Sequence, residues 1–380
     1  MKKYITDYEK NQINFVIRDL TRPQKKAIRE ILRGIFRAGK PILRNLSQNQ
    51  KISAKSAGKK FGFHLENVKI AEKINEFCDQ KVLPKIAKNT VVAYDLSDIA
   101  KPFSKKMDGI SRVFDGSKRT PENGFFLHGV GVNGVLIRLK IHDPNRHFLP
   151  EIRREIILDI AEKCDNKAIF ALDRGNDSKS FFVDLNRKNL KFIVRLKKNR
   201  KLILSKTGEI CPVESLPDGR FEVFLHDKNN RKIDTKNKYF VIVKTGKKGV
   251  IRLLCSENLR FLTNKEVVSK YLKRWGVEKS FREIKTQFSL EKIRVLKKNR
   301  IENLVVLTHF ASAISTILYQ KIRQTRDLFS FVVFSLFEKF TKTRSLSDNP
   351  NAFISFLKSV FPAFLVRSKS PPSQSQYALF

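Results

Sequence analysis

The sequence predicts an α/β fold with a helical N-terminal region and a β-rich interruption. Three observations carry that reading. Runs of β-branched and aromatic residues begin abruptly at Thr90, after a stretch with helical periodicity. From there to residue 197, short apolar strands alternate with helical patterns, the arrangement of parallel strands joined by helices. A segment of strand character, 198–262, then separates this alternation from a helix-rich remainder.

Taken in order, residues 1–85 form a helical, candidate DNA-binding region. Pro23 followed by QKKAIREILRGIFR gives a basic amphipathic helix, and LENVKIAEKINEFCDQKVL gives a second. No helix-turn-helix signature is evident, and a helical lid on the next domain fits equally well. Residues 86–197 hold the first part of the α/β core. TVVAYDL (90–96) is a strand, followed by a polar loop with Lys101, Lys105, Lys106 and Arg112. Strands at 125–132 and 135–141 are joined by Asn133-Gly134, a hairpin turn signal. Pro150 opens a helix, a buried strand covers 168–173, a helix 178–189 and a strand 191–197. The expected order is β-β-β-α-β-α-β.

In 198–262 the strands FEVFLHD, YFVIVKT and GVIRLLCS read as an insertion into the α/β pattern. Residues 263–365 complete the core with helices, the first opened by a Thr263/Glu266 capping box, and 366–380 has the composition of a disordered tail. The string LKKNR occurs at 196–200 and 296–300, a coincidence in a Lys- and Asn-rich chain rather than a structural repeat.

With 380 residues the chain is too long for one compact core, which points to two or three domains. Lys plus Arg outnumber Asp plus Glu by 77 to 37, a formal charge of +40 that calls for a polyanionic partner. Because the cations are spread along the chain with no single basic amphipathic anchor, nucleic acid fits better than an anionic membrane. Cys78, Cys164, Cys211 and Cys255 form no CxxC pair, which argues against zinc or a disulfide framework and suits a reducing cytoplasm. The N-terminus lacks an apolar core and cleavage site of a signal peptide. The apolar run 304–319 is short and carries Thr308 and His309, so a buried core helix is expected rather than a membrane span.

The chemistry is concentrated in YLKRWGVEKSFREIK, where Tyr271, Arg274, Glu278 and Lys285 recur at a fixed spacing. On one α-helix these side chains fall within roughly 60° of arc, one acid among three groups suited to phosphate. Val277, Phe281, Ile284 and Phe288 lie to one side, and Val268, Leu272 and Trp275 to the other, so Trp275 is expected in the core. An amphipathic helix with fortuitously aligned polar groups would show the same pattern. Two further acids stand near strand ends, Asp95 in YDLSD and Asp173 in LDRGND. Adjacent strands and a packed helix could converge Asp95, Asp173 and Glu278, and such hard oxygen ligands favour Mg²⁺ or Mn²⁺, up to two ions, for in-line phosphoryl transfer. Asp98, Asp115 and Asp177 compete for these roles, and Asp177 could instead cap the following helix.

These motifs, in this order around a β insertion, resemble the DDE transposases of bacterial insertion sequences, in the branch typified by the insertion sequence 4 family. The Asp173-Arg174-x-x-Asp177 turn and the Tyr271/Arg274/Glu278/Lys285 spacing both match, and the likeness covers roughly residues 90–325. The resemblance implies an RNase H-like catalytic core in which Asp95, Asp173 and Glu278 are catalytic metal ligands. It implies that Arg274 and Lys285 hold DNA phosphates, that Tyr271 contacts the same DNA end, and that Arg174 orients DNA or its neighbouring carboxylate. The implied activity is binding of terminal inverted repeats, hydrolytic nicking and strand transfer, by a homodimer in a synaptic complex, in the cytoplasm at the nucleoid. Members that cut through a DNA hairpin can stack a flipped base on an aromatic residue, often Trp, of the insertion. Here the insertion has no Trp, leaving Phe221, Phe224 or Tyr239 for that role. A transposase-derived DNA-binding protein without catalysis and an RNase H-like nuclease are the alternatives.

Overall fold

The computed structural model describes residues 2–47, 52–115, 120–226, 236–246 and 249–324, together with Phe353 and Ser355. The expected tail 366–380 and most of 325–365 lie outside the described residues, as does the side chain of Asp115. Nine helices occur among the described residues: α1 (Lys2–Ile17), α2 (Arg22–Ala38), α3 (Ala54–Glu66), α4 (Ala71–Val82), α5 (Leu149–Lys163), α6 (Lys179–Arg187), α7 (Asn264–Leu272), α8 (Trp275–Gln287) and α9 (Lys298–Gln324). The strands are β1 (Val91–Ala100), β2 (Ser111–Asp115), β3 (Thr120–Val132), β4 (Val135–Ile141), β5 (Ile169–Leu172), β6 (Lys191–Arg195), β7 (Lys201–Leu204), β8 (Ile210–Pro212), β9 (Gly219–Leu225), β10 (Tyr239–Gly246) and β11 (Gly249–Ser256). Two compact units result, one of Met1–Phe77, Lys106–Asp108 and Glu283–Phe380, the other of Cys78–Lys105 and Gly109–Arg282.

The second unit is a mixed α/β structure built on one large sheet, in the order β2-β3-β1-β5-β6-β11-β10-β9-β7-β8 with β4 paired to β3. β1, β5 and β6 run parallel, and the β3–β4 hairpin turns at Asn133 and Gly134, whose φ angles of 49° and 80° suit Asn and Gly. One expectation needs correction. The polar loop after β1 contains a further strand, β2, paired antiparallel with the start of β3. Ser-Arg-Val-Phe-Asp is too short and too polar to announce it. The strands of the β-rich insertion join the same sheet. β11 pairs antiparallel with β6, so the insertion extends the edge of the core sheet. The buried rows of β10 and β11 satisfy both roles, since Tyr239 to Val243 and Leu253 to Cys255 are all buried.

In the first unit α2, α3 and α9 pack on one another. Gly34 of α2 lets the segment before α3 fold back against it, because a Cβ there would lie 2.5 Å from the Leu46 carbonyl oxygen. Asn303 of α9 donates to the carbonyls of Leu65 and Val68, at 2.8 and 3.0 Å, capping the C-terminal end of α3 with a buried amide. Glu283 accepts from Ser312 and Thr316 at 3.1 and 3.2 Å, so two of the polar residues inside the apolar run serve an internal carboxylate. α9 is long and apolar enough to cross a membrane by length and composition, and 94% of its most apolar window is buried. The second LKKNR string opens this helix, whereas the first lies in the loop after β6, so the two have different structures.

Pleating sends Tyr94 and Asp95 to opposite faces of β1. On the Tyr94 face, its hydroxyl lies 2.7 Å from Nδ1 of the fully buried His128, and His128 Nε2 lies 3.4 Å from His142. Burial holds the His128 pKa down to about 3, with the charges of His142, Lys140 and Arg153 adding to the effect. The unfolded chain therefore takes up this proton near the ordinary histidine value of 6.5, before the folded chain does. The stability that follows from a neutral His128 is complete above that pH and is lost as the pH falls from there toward 3. We expect a loss of about 2 kcal/mol between pH 7 and 5 from this group. Thermal midpoints measured across that range should fall for the native chain and flatten for His128→Asn, and equal slopes would contradict the assignment.

Candidate active site

The site is assembled where the parallel pairing of β1 and β5 stops, midway along β1 and just past the end of β5. Tyr94 lies opposite Leu172, so Asp95 and Asp173 follow side by side. The carboxyl end of a strand such as β5 is where crevices open in α/β sheets. The third element, α8, lies against the Asp95 face of the sheet because β3 offers it glycine. A Cβ on Gly129 would come 2.2 Å from the Phe281 ring, and one on Gly131 would come 3.2 Å from Val277. Ser280 adds a hydrogen bond to the Gly134 carbonyl at 3.1 Å. The glycines in FFLHGVGV are thus the seat of the helix that carries Glu278. Alternation along the strand signals only that both lie on one face.

Arg274 joins these elements. Its Nη1 donates to Asp95 Oδ2 at 3.1 Å and its Nη2 to Glu278 Oε1 at 2.5 Å. The Arg274 side chain is 7% exposed, that of Asp95 14% and that of Glu278 29%, so this bridge is largely shielded from water. Burial pushes the Asp95 carboxyl up to about 7. The Arg274 charge opposes this rise, and the like charges of Asp173 and Glu278 add to it. For Arg274 itself burial works against the charged form, but Tyr271, Asp95 and Glu278 outweigh it and raise its pKa. Three carboxylates therefore act on one another at a position where a single guanidinium does not fully balance them.

The other predicted residues are placed as follows. Tyr271 is 2% exposed, in a core cluster with Ile169, Ile193 and Val267. Its ring centre lies 5.7 Å from the Arg274 guanidinium carbon, which stands equally far from the Trp275 ring. Arg174 is exposed on the turn after Asp173. Lys285 lies on α8 seven residues beyond Glu278, on the same side of that helix, and pairs with Glu291 at 3.5 Å. Asp177, a competitor, is neither a ligand in this arrangement nor a helix cap. Its carboxylate accepts from the Lys197 amide at 3.0 Å and from Arg200 at 2.8 and 2.5 Å, tying the turn to the loop after β6. Asp98 is three residues from Asp95 on β1 and so belongs to the opposite face.

Two features of the helix motif differ from expectation. The segment is not one helix. The amides of Arg274, Gly276 and Val277 bond three residues back, to Tyr271, Lys273 and Arg274, a tight turn that separates α7 from α8. Tyr271 and Glu278 therefore do not share a single helical arc. For the same reason Trp275 and Leu272 are not core residues. They are 50% and 49% exposed, at the rim of a cleft of about 330 Å³ that Lys273 and Lys279 also line. The capping box of Thr263 and Glu266 forms as read from the sequence.

Sequence reasoning missed Arg153 and Asn176. Asn176 is 4% exposed, donates from Nδ2 to Asp173 Oδ1 and accepts from Arg153 Nη1 at 3.1 Å. Nothing in the sequence marks an arginine in an amphipathic helix as buried. Gly175 lets the turn close, since its Cβ would lie 3.3 Å from both Asp173 carboxylate oxygens.

Residues 127–314 match the family model of the transposase DDE domain. The match takes in Asp173 and Glu278 and begins after Asp95, which rests on geometry alone. It supports a DDE transposase. No curated protein matches the chain.

Removing one partner of a buried ion pair costs several kcal/mol because the other charge is left uncompensated. Arg274→Gln should therefore lower stability by about 3 kcal/mol at neutral pH. Asp95→Asn in the same chain should recover part of that loss. A double variant no more stable than the single one, by thermal unfolding, would contradict the charge-balancing role.

Proposed function

We propose that this chain is a DDE transposase, of the insertion sequence 4 branch, that cuts and joins DNA at the terminal inverted repeats of its element. The observation that carries the proposal is the placement of Asp95 and Asp173 side by side, where the pairing of β1 with β5 stops, with Glu278 brought to Asp95 through Arg274. Under this reading the sheet and its α5 to α8 helices are an RNase H-like core. Among the described residues no three His, Cys, Asp or Glu side chains stand close enough to hold a metal ion as they are. The donor set nonetheless fits one: all three groups are hard oxygen ligands, and Asp95 is pushed toward neutrality by burial and like charge that a cation would relieve. Asp95, Asp173 and Glu278 would hold Mg²⁺ or Mn²⁺, most simply as two ions. When bound, these supply activation of a water or 3′-hydroxyl and stabilisation of the leaving oxygen.

The remaining roles fall to the chain's own groups. Arg274, released from one carboxylate, has donors for a DNA phosphate, and Lys285 and Arg174 offer further cations. Tyr271 supports Arg274 from the core. The site would act in a homodimer that pairs two DNA ends, at the nucleoid in the cytoplasm.

Residues 1–85 are the proposed duplex-binding region. Between Ile31 and Leu65 there are eight Lys or Arg and no Asp or Glu. Within that stretch α3 presents Lys55, Lys59 and Phe63 to solvent, Phe63 at 63% exposure. Each phosphate neutralised releases counterions, so Lys55→Ala with Lys59→Ala should reduce the slope of log affinity against log salt by about 2. Binding of a 30-base-pair duplex across a salt series measures this, and an unchanged slope would place the contact elsewhere.

A second reading, a DNA-binding protein without catalysis, is favoured by one observation, the occupation of two carboxylates by Arg274. A labelled duplex carrying the flanking element end separates the two. The proposal predicts cutting with Mg²⁺ or Mn²⁺, none with EDTA, and none with Glu278→Gln. Tight binding without cutting under either metal would favour the second reading.

A further inference from the structure

Arg153, near the start of α5, is 7% exposed and makes no ion pair among the described residues. Its guanidinium carbon lies 3.9 Å over the Phe181 ring, Nη1 donates to Asn176, and Nε is buried without a hydrogen-bond partner among the described residues. A buried cation with no carboxylate against it is expensive, and an apolar side chain at this position would fold more cheaply. The carboxylate that acts on it is Asp173. Asp173 is reached through a single residue. A guanidinium can only donate hydrogen bonds and a carboxylate can only accept them, whereas an amide does both. Asn176 matches the two ends, turning Oδ1 to Arg153 and Nδ2 to Asp173. With Oδ1 of the carboxylate held in this way, Oδ2 remains for another partner.

We propose that Arg153, acting through Asn176, is a positioning residue for Asp173: it fixes the amide, and the amide aims the carboxylate at a divalent cation. The inference rests on the reading of Asp173 as a metal ligand and adds to it two outer residues, Asn176 on the same turn and Arg153 on α5. Loss of such outer partners commonly weakens metal affinity 10- to 100-fold, without removing a ligand.

Asn176→Asp gives the decisive test. It keeps an acceptor for Arg153, and even improves that pair, but it cannot donate to Asp173 and adds a like charge beside it. A purely structural role for Asn176 would leave this variant folded and normal. The readout is Mn²⁺ binding to the full chain with duplex DNA, followed by the free-ion electron paramagnetic resonance signal, with thermal unfolding alongside. We expect Asn176→Asp to weaken Mn²⁺ binding at least about 10-fold while its thermal midpoint stays level or rises. Arg153→Met should weaken it to a similar degree, and Arg153→Lys, which keeps charge and a donor, should recover most of the binding. Native affinity in Asn176→Asp, where Asp173→Asn is impaired, would overturn the positioning role alone. Native affinity in Asp173→Asn itself would remove the metal-ligand reading and the inference with it.

Discussion

Arg274 is the constraint on which the rest of the site depends. Carboxylates from a strand and from a helix have been brought out of water beside a third, and their repulsion would drive the elements apart without a cation between them. A guanidinium suits this position better than an ammonium, because its planar fork can donate to two carboxylates at once while its faces rest near Tyr271 and Trp275. That Asp95 is still pushed up to about 7 shows which effect wins: burial and like charge together exceed what one guanidinium returns. The site is therefore short of positive charge in its resting arrangement, and this shortage is the physical argument for a metal.

The fold is arranged so that this bridge can form. α8 must approach the sheet closely enough for Glu278 and Arg274 to reach Asp95, and Gly129 and Gly131 remove the side chains that would hold it off. The tight turn at Lys273 and Arg274 then frees Arg274 from the regular helix and points it at the strand end. In the turn after β5, Arg153 holds Asn176 and Arg200 holds Asp177, the two adjacent residues that follow Gly175. Each of these contacts satisfies a group whose burial would otherwise cost one to several kcal/mol. The turn is thus fixed from α5 on one side and from the loop after β6 on the other.

Much of this was legible in the sequence, and for identifiable reasons. The Asn133-Gly134 turn, the Thr263/Glu266 box and the alternation of strand and helix up to residue 197 are local signals, set by backbone conformation and periodicity. That Asp95 lies on a strand and Asp173 just past one was legible for the same reason. What was not legible depends on distant neighbours. Continuation of the core sheet by β11 is a pairing between residues far apart in the chain. The burial of Arg153 follows from packing against Phe181 and Asn176, and neither partner is implied by the helix that carries it. Trp275 reads as core on an unbroken helix and is exposed because the helix breaks just before it.

The central claim is that Asp95 and Glu278, now bridged by Arg274, and Asp173 beside them are ligands for divalent metal. Anomalous scattering from manganese, in crystals of the chain bound to a duplex carrying its element end, tests it most directly. The account predicts manganese coordinated by Asp95 and Asp173, with Glu278 on the same metal centre and Arg274 turned to a DNA phosphate. Manganese bound elsewhere, with Arg274 still bridging Asp95 and Glu278 in the presence of DNA, would contradict it.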